Sequence, residues 1–380
     1  MIHFWFFLFS RSIVAVSLAA CLLSGSIVHA KDFDLREVEK LVHSFMTSTG
    51  VSGVAISLIQ KDTHEELYFG SAGPSEKGAV AEQTVFEIGS ITKVFTPHLM
   101  VIAQEEGKLS VHDPVSKYIP ALRANPVFNL ISLKDLATHT SALPAFFDTP
   151  KDLRSRQEII QWLLKWKPSV PPKSQYLYSN VGIGLIGFIL EEVYQQNWDK
   201  LLTEKILLPR GMITTFQNVP VEKRARIAQG FDSQHKPADL LPESWIFYPA
   251  GSLKSNASDL GAYLASWDQG FFKYLKESVC FSNRSCQGLG IEAHPLSDLS
   301  ETFTNVHFTV DNVSDPSVKK GEHLPPLNQI FIDKTGSSDG MSAYIAMIPS
   351  SRVGVVILCN QWNVGERVGL GRKILSSVRK

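Results

Sequence analysis

The sequence predicts an α+β fold, a sheet assembled from both ends of the chain with a mainly helical lobe inserted between them. Two observations carry this. Runs of strand length lie near both ends, over Val51 to Ile59 and Glu65 to Phe69 early, and over Asn328 to Asp333, Met341 to Ile348 and Arg352 to Cys359 late. The stretch between them instead shows helical periodicity interrupted by Pro and Gly.

Taken in order, the first segment reads as an address. Arg11 precedes apolar Ile13 to Leu23, and Val28-His29-Ala30 is followed by charged Lys31 and Asp32, the layout of a secretory signal cleaved near Ala30. Residues 1–30 are therefore expected to be a signal peptide, and the remaining chain to be periplasmic or secreted. A second reading takes Leu18-Ala-Ala-Cys21 as a lipoprotein signal with Cys21 lipidated. Leu22 and Leu23, which continue the apolar run past the cysteine, favour the first. Beyond this segment no apolar stretch is long enough to span a bilayer, so stable membrane insertion is not expected.

After the early hairpin, helices are predicted over Val94 to Glu106, Ser132 to Thr138, Gln157 to Trp166, Val181 to Tyr194 and Ser258 to Trp267. Arg367 to Val378 reads as a closing helix. This divides 31–380 into a sheet lobe of about 31–85 and 300–380 and a helical lobe of about 86–299. No internal repeat or flexible linker separates modules, so one compact unit, a monomer, is expected.

Composition narrows the partner. Lys and Arg total 37, as do Asp and Glu, so the formal net charge is zero, and no charge block is present. Nothing invites nucleic acid or an acidic membrane surface, and a small-molecule substrate is the default.

Three short motifs suggest the chemistry. Ser90-Ile-Thr-Lys93, Tyr178-Ser-Asn180 and Lys334-Thr335-Gly336 together supply a nucleophile, a base and a cationic wall, the equipment of serine acyl transfer. Ser-x-x-Lys recurs at Ser233, Ser317 and Ser377, but those copies lie in polar or terminal stretches. Ser90 alone follows a glycine and opens an apolar helical run. At a helix start, residues three apart share a face, so the Lys93 amine can approach the Ser90 hydroxyl. A serine hydroxyl needs a proton acceptor, here neutral Lys93, an ionised Tyr178, or both together. Lys93 and Lys334 flanking Tyr178 would favour the phenolate, which is the expectation carried forward.

The cysteines and histidines are less informative. Cys280 and Cys286, separated by Phe-Ser-Asn-Arg-Ser, form either a local disulfide or two free thiols, and Cys359 reads as a buried strand residue. No His-x-His or His-x-x-x-His spacing occurs, which disfavours a zinc mechanism; no metal and no cofactor is expected. His139 is expected to make a hydrogen bond within its own loop.

The motifs and their flanks resemble class C serine β-lactamases and the related penicillin-binding proteins and serine esterases across nearly the whole chain after residue 30. The resemblance rests on Phe86-Glu-Ile-Gly-Ser-Ile-Thr-Lys93, Leu136-Ala-Thr-His-Thr-Ser-Ala-Leu-Pro144, Leu177-Tyr-Ser-Asn-Val-Gly-Ile-Gly184, Asn218-Val-Pro220, Ala228-Gln-Gly-Phe231, Gln287-Gly-Leu-Gly-Ile-Glu292 and Asp333-Lys-Thr-Gly-Ser337, all in family order. It implies an antiparallel sheet flanked by helices, and hydrolysis of a β-lactam amide. It further implies an oxyanion hole from the backbone N–H groups of Ser90 and Ser337. Asn180 would hold the substrate's amide side chain and orient Lys93. Lys334 and Thr335 would face its carboxylate, with Gly336 allowing close approach, and Tyr178 would activate the deacylating water.

Two departures bear on substrate. The position where class C enzymes usually carry Gln is Phe146, and the segment after the last strand reads Asn360-Gln-Trp-Asn-Val-Gly. Three functions follow: a β-lactamase; a D-alanyl-D-alanine peptidase or esterase using the same residues on cell-wall peptides; and a non-catalytic binder of such peptides, for which a matched nucleophile and base would be needless.

Overall fold

The computed structural model describes residues 33–147, 155–242, 247–281, 285–300, 317–319, 321–363 and 365–378. The expected signal peptide, with Cys21 and Ala30, lies outside them. Eight strands make one sheet: β1 (Gly53–Gln60), β2 (Thr63–Gly70), β3 (Val279–Cys280), β4 (Cys286–Gln287), β5 (Glu292–Pro295), β6 (Ile330–Ser337), β7 (Ser342–Ile348) and β8 (Val353–Cys359). Their spatial order is β2-β1-β8-β7-β6-β5-β4-β3, and every pairing is antiparallel. The two chain ends meet where β1 pairs β8, Val54 opposite Cys359.

The near-continuous apolar runs of β1, β7 and β8 are explained by burial on both faces. Val54, Ile56 and Leu58 of β1 join one core, while Ala55 and Ile59 join the other; Tyr344 and Ala346 of β7 alternate likewise with Ala343 and Ile345. One face is covered by α1 (Leu35–Thr49) and by the C-terminal helix, through Val38, Val42, Phe45, Ile374 and Leu375. Against the other face pack α2 (Thr92–Glu105), α3 (Leu133–Ala137), α4 (Arg156–Lys165), α5 (Asn180–Tyr194), the short α6 (Tyr248–Gly251) and α7 (Ala257–Ala265). The C-terminal helix is α8 (Gly365–Val378). The described residues form one compact unit.

Each strand and helix named from the sequence is present, with ends displaced by a few residues. Two features depart from the reading. The sheet lobe resumes well before residue 300, because β3, β4 and β5 extend the sheet beyond β6. Helix α1 was not anticipated, although Asp34 caps its start by accepting from the N–H groups of Arg36 and Glu37, and Gly50 ends it at φ 73°. Cys280 and Cys286 face one another across β3 and β4 and are joined as a disulfide; Cys359 is a buried free thiol.

Candidate active site

Ser90 sits in the tight turn Gly89–Ile91 that leads into α2, so Lys93, one turn on, projects to the same side. Its Nζ donates to Ser90 Oγ at 2.9 Å and to the carbonyl oxygen of Ala250 in α6 at 2.7 Å. Tyr178 enters from the segment before α5, and its hydroxyl donates to Ser90 Oγ at 2.7 Å. Nucleophile, amine and phenol thus meet at one oxygen.

The segment carrying Tyr178 is held by the loop before it. Ser179 caps α5 by accepting from Gly182 N–H at 2.8 Å and donates to the Pro144 carbonyl at 2.8 Å. His139 does not bond within its own loop as expected. Its Nδ1 accepts from Ser179 N–H at 3.2 Å and its ring lies 4.6 Å from that of Tyr178, so it buttresses the tyrosine.

The third motif lies along β6. Glycine at two positions lets that strand abut the serine turn: a Cβ on Gly336 would lie 2.0 Å from the Ile88 carbonyl oxygen, and one on Gly89, at φ 48°, would meet the Ser337 backbone at 2.4 Å. The backbones of Ser90 and Ser337 therefore border one space. Arg367, which the sequence reading missed, locks the far side of that strand. Its guanidinium donates to the carbonyls of Ala343 and Gly336 at 2.9 and 3.1 Å and to Ser337 Oγ at 3.0 Å. Lys334 Nζ lies 5.4 Å from the centre of the Tyr178 ring and pairs with Glu292 at 3.0 Å.

Burial sets the charges. Desolvation, with help from Lys334, brings the buried Lys93 amine well below the usual lysine range, which favours the neutral form that can accept a proton. Tyr178 departs from the expected phenolate. Desolvation raises its hydroxyl above the usual tyrosine value and outweighs the opposing pull of Lys334, so it enters the reaction as a neutral phenol. Lys334 itself stays charged: burial works against the ammonium, but the paired Glu292 carboxylate more than compensates. His139 is held neutral by burial and by the charge of Lys334.

Three other expectations fare differently. Among the described residues no hydrogen bond joins the buried Asn180 side chain to Lys93; Ala250 orients the amine instead. Thr335 and Ser337 are half-buried on β6. Phe146 is exposed at 48%, whereas Asn360 is tied to the sheet, accepting from Gly53 N–H at 2.8 Å and donating to the Ser71 carbonyl at 3.1 Å. A strand-tying asparagine is a structural part.

A family model described as Beta-lactamase matches residues 38–378. A beta-lactamase of Pseudomonas fluorescens is 32% identical over 359 residues, covering 91% of this chain and 99% of the relative. A class C beta-lactamase solved in complex with cefoxitin is 29% identical with a TM-score of 0.79, covering 90% of this chain and 98% of that one. A structure described as D-alanine carboxypeptidase AmpC from Burkholderia cenocepacia is 28% identical with a TM-score of 0.79, covering 90% and 99%. Matched over nearly its whole described length in sequence and in fold, the chain belongs to the beta-lactamase family and carries the class C fold.

Proposed function

We propose that this protein is an exported serine β-lactamase of class C type that opens the β-lactam amide through a Ser90 acyl-enzyme. The observation that carries the reading is the convergence of a neutral amine and a neutral phenol on one serine oxygen, Lys93 at 2.9 Å and Tyr178 at 2.7 Å. As Ser90 Oγ attacks the lactam carbonyl, its proton passes to Lys93. The developing oxyanion lies against the N–H groups of Ser90 and Ser337, where losing one donor typically costs about 3 kcal/mol. Collapse breaks the C–N bond, and the nitrogen takes its proton from the Tyr178 hydroxyl, which the Lys93 ammonium then restores. Water then attacks the ester with neutral Lys93 as proton acceptor; the bond from the acyl carbon to Ser90 Oγ breaks, Lys93 returns the proton to that oxygen, and the acid is released. Lys334 and Thr335 anchor the substrate carboxylate, and Asn180 holds its amide side chain.

Export rests on the N-terminal pattern and is supported by the Cys280–Cys286 disulfide, a bond that persists in oxidising compartments. Among the described residues no helix is long and apolar enough to cross a membrane. The intact mass of the exported protein tests the boundary: a start near Lys31 supports signal cleavage, and a lipidated Cys21 refutes it.

A second reading, D-alanyl-D-alanine carboxypeptidase, is favoured by the carboxypeptidase description of the Burkholderia relative and uses the same residues. Turnover of a chromogenic cephalosporin, with Ser90→Ala as control and mass spectrometry of the mixture, separates the two. Rapid hydrolysis lost in Ser90→Ala supports the β-lactamase; a persistent adduct on Ser90 with little turnover supports the peptidase.

A further inference from the structure

Behind Lys334 lies a charged cluster that the reaction above does not use. Glu292 and His294 sit two residues apart on β5, and β6 places Asp333 directly opposite Glu292. Two facing carboxylates repel unless cations separate them. Here Lys334, Arg372 and, when protonated, His294 do so. Lys334 holds Glu292 Oε1 at 3.0 Å, Arg372 of α8 reaches Asp333 Oδ2 at 3.5 Å, and His294 Nε2 stands 3.1 Å from Asp333 Oδ1 and 3.8 Å from Glu292 Oε2. Tyr344 donates to Asp333 at 2.7 Å, and the His294 ring stacks on Phe331 at 5.2 Å, so the imidazole is held in place. Glu292, His294 and Asp333 offer ligand atoms within 4.8 Å of one another, but Lys334 and Arg372 already neutralise both carboxylates, which argues for a charge relay over a metal site.

We propose that His294 is a positioning residue that acts on Lys334 through Glu292: its imidazolium shares the Glu292 carboxylate, and thereby sets how much of the Lys334 charge is left for an anionic substrate. This rests on the reading of Lys334 as the carboxylate anchor. The direction follows from the charges. With His294 protonated, Glu292 is divided between two cations and Lys334 attracts an anion strongly; with His294 neutral, Glu292 offsets Lys334 alone and attraction weakens. The imidazolium is within reach of ordinary pH. Burial opposes it, but Asp333 and then Glu292 outweigh burial and the repulsion of Arg372, raising His294 above the usual histidine value.

The test is KM against pH for a cephalosporin carboxylate and for its neutral ester, with wild type, His294→Gln and Glu292→Gln. In wild type, KM for the acid should rise with pH on the order of fivefold, the low end of coupling between linked groups, while KM for the ester stays level. His294→Gln should flatten the acid profile at its high value, and Glu292→Gln should flatten it at its low value. A merely structural role would not produce opposite plateaus. A wild-type acid-to-ester KM ratio that is constant with pH overturns the inference and requires no variant to fold; so does a wild-type rise that survives in His294→Gln. Equal KM for acid and ester at every pH refutes the anchor reading itself, and the inference with it.

Discussion

Replacing Lys93 by Met deletes the amine while keeping an unbranched side chain of similar length, and its consequences can be worked from both contacts the amine makes. At Ser90 it removes the group placed 2.9 Å away to accept the hydroxyl proton. General-base catalysis is typically worth about 10²- to 10⁴-fold, or roughly 3–5 kcal/mol of barrier. Because Tyr178 is a neutral phenol it cannot take over as base, so the loss should lie toward the upper end. At Ala250 the change orphans a buried carbonyl, which costs about 1–3 kcal/mol of stability.

That cost is opposed by linkage. The folded Lys93 value lies below the unfolded one, so between the two the unfolded chain binds the extra proton and wild-type stability rises with pH across that window. Met removes the term. Relative to wild type, the variant should therefore fare best near neutral pH and lose ground as pH climbs toward the free lysine value of about 10.4. Stopped-flow acylation with a chromogenic cephalosporin reads the rate, and urea unfolding at pH 7 and pH 10 reads the stability difference. Acylation within tenfold of wild type would refute Lys93 as the base. A stability difference independent of pH would refute its neutrality in the fold.

Gly336→Ala puts a Cβ 2.0 Å from the Ile88 carbonyl oxygen, so β6 must move off the serine turn; kcat should fall about 10²-fold, and a value near wild type would show that Ser337 does not need this approach. Arg367→Lys loses the forked donor to Gly336 and Ser337, and thermal unfolding should report a loss of about 1–3 kcal/mol with kcat reduced more than KM is raised. Removing the Cys280–Cys286 bond by double substitution with Ser opens only a short loop at the far edge of the sheet. Stability should drop by about 2 kcal/mol while kcat is retained, which combined unfolding and rate measurements check.

What the sequence could show of this site is what local spacing encodes. Ser90 and Lys93 share a face because three residues separate them at a helix start, and the late strands were readable as apolar runs because both sheet faces are covered. Helix α1 is also encoded locally, by Asp34 at its start and Gly50 at its end. Strands β3 and β4 were not readable, since two-residue segments show no periodicity. Ala250, Arg367 and the reach of His139 to Ser179 join positions far apart in the chain, and no local pattern encodes them.

The charge of Tyr178 shows the deeper limit. Counting lysines beside it predicts a phenolate, yet burial enters with the opposite sign and is the larger effect. The same burial disfavours the charged form of Lys93, so a single physical cause pushes both groups beside Ser90 toward neutrality. Lys334, equally enclosed, escapes only because β5 brings Glu292 to it. Base, proton donor and cationic anchor thus differ less by residue type than by whether a counter-charge is buried with them.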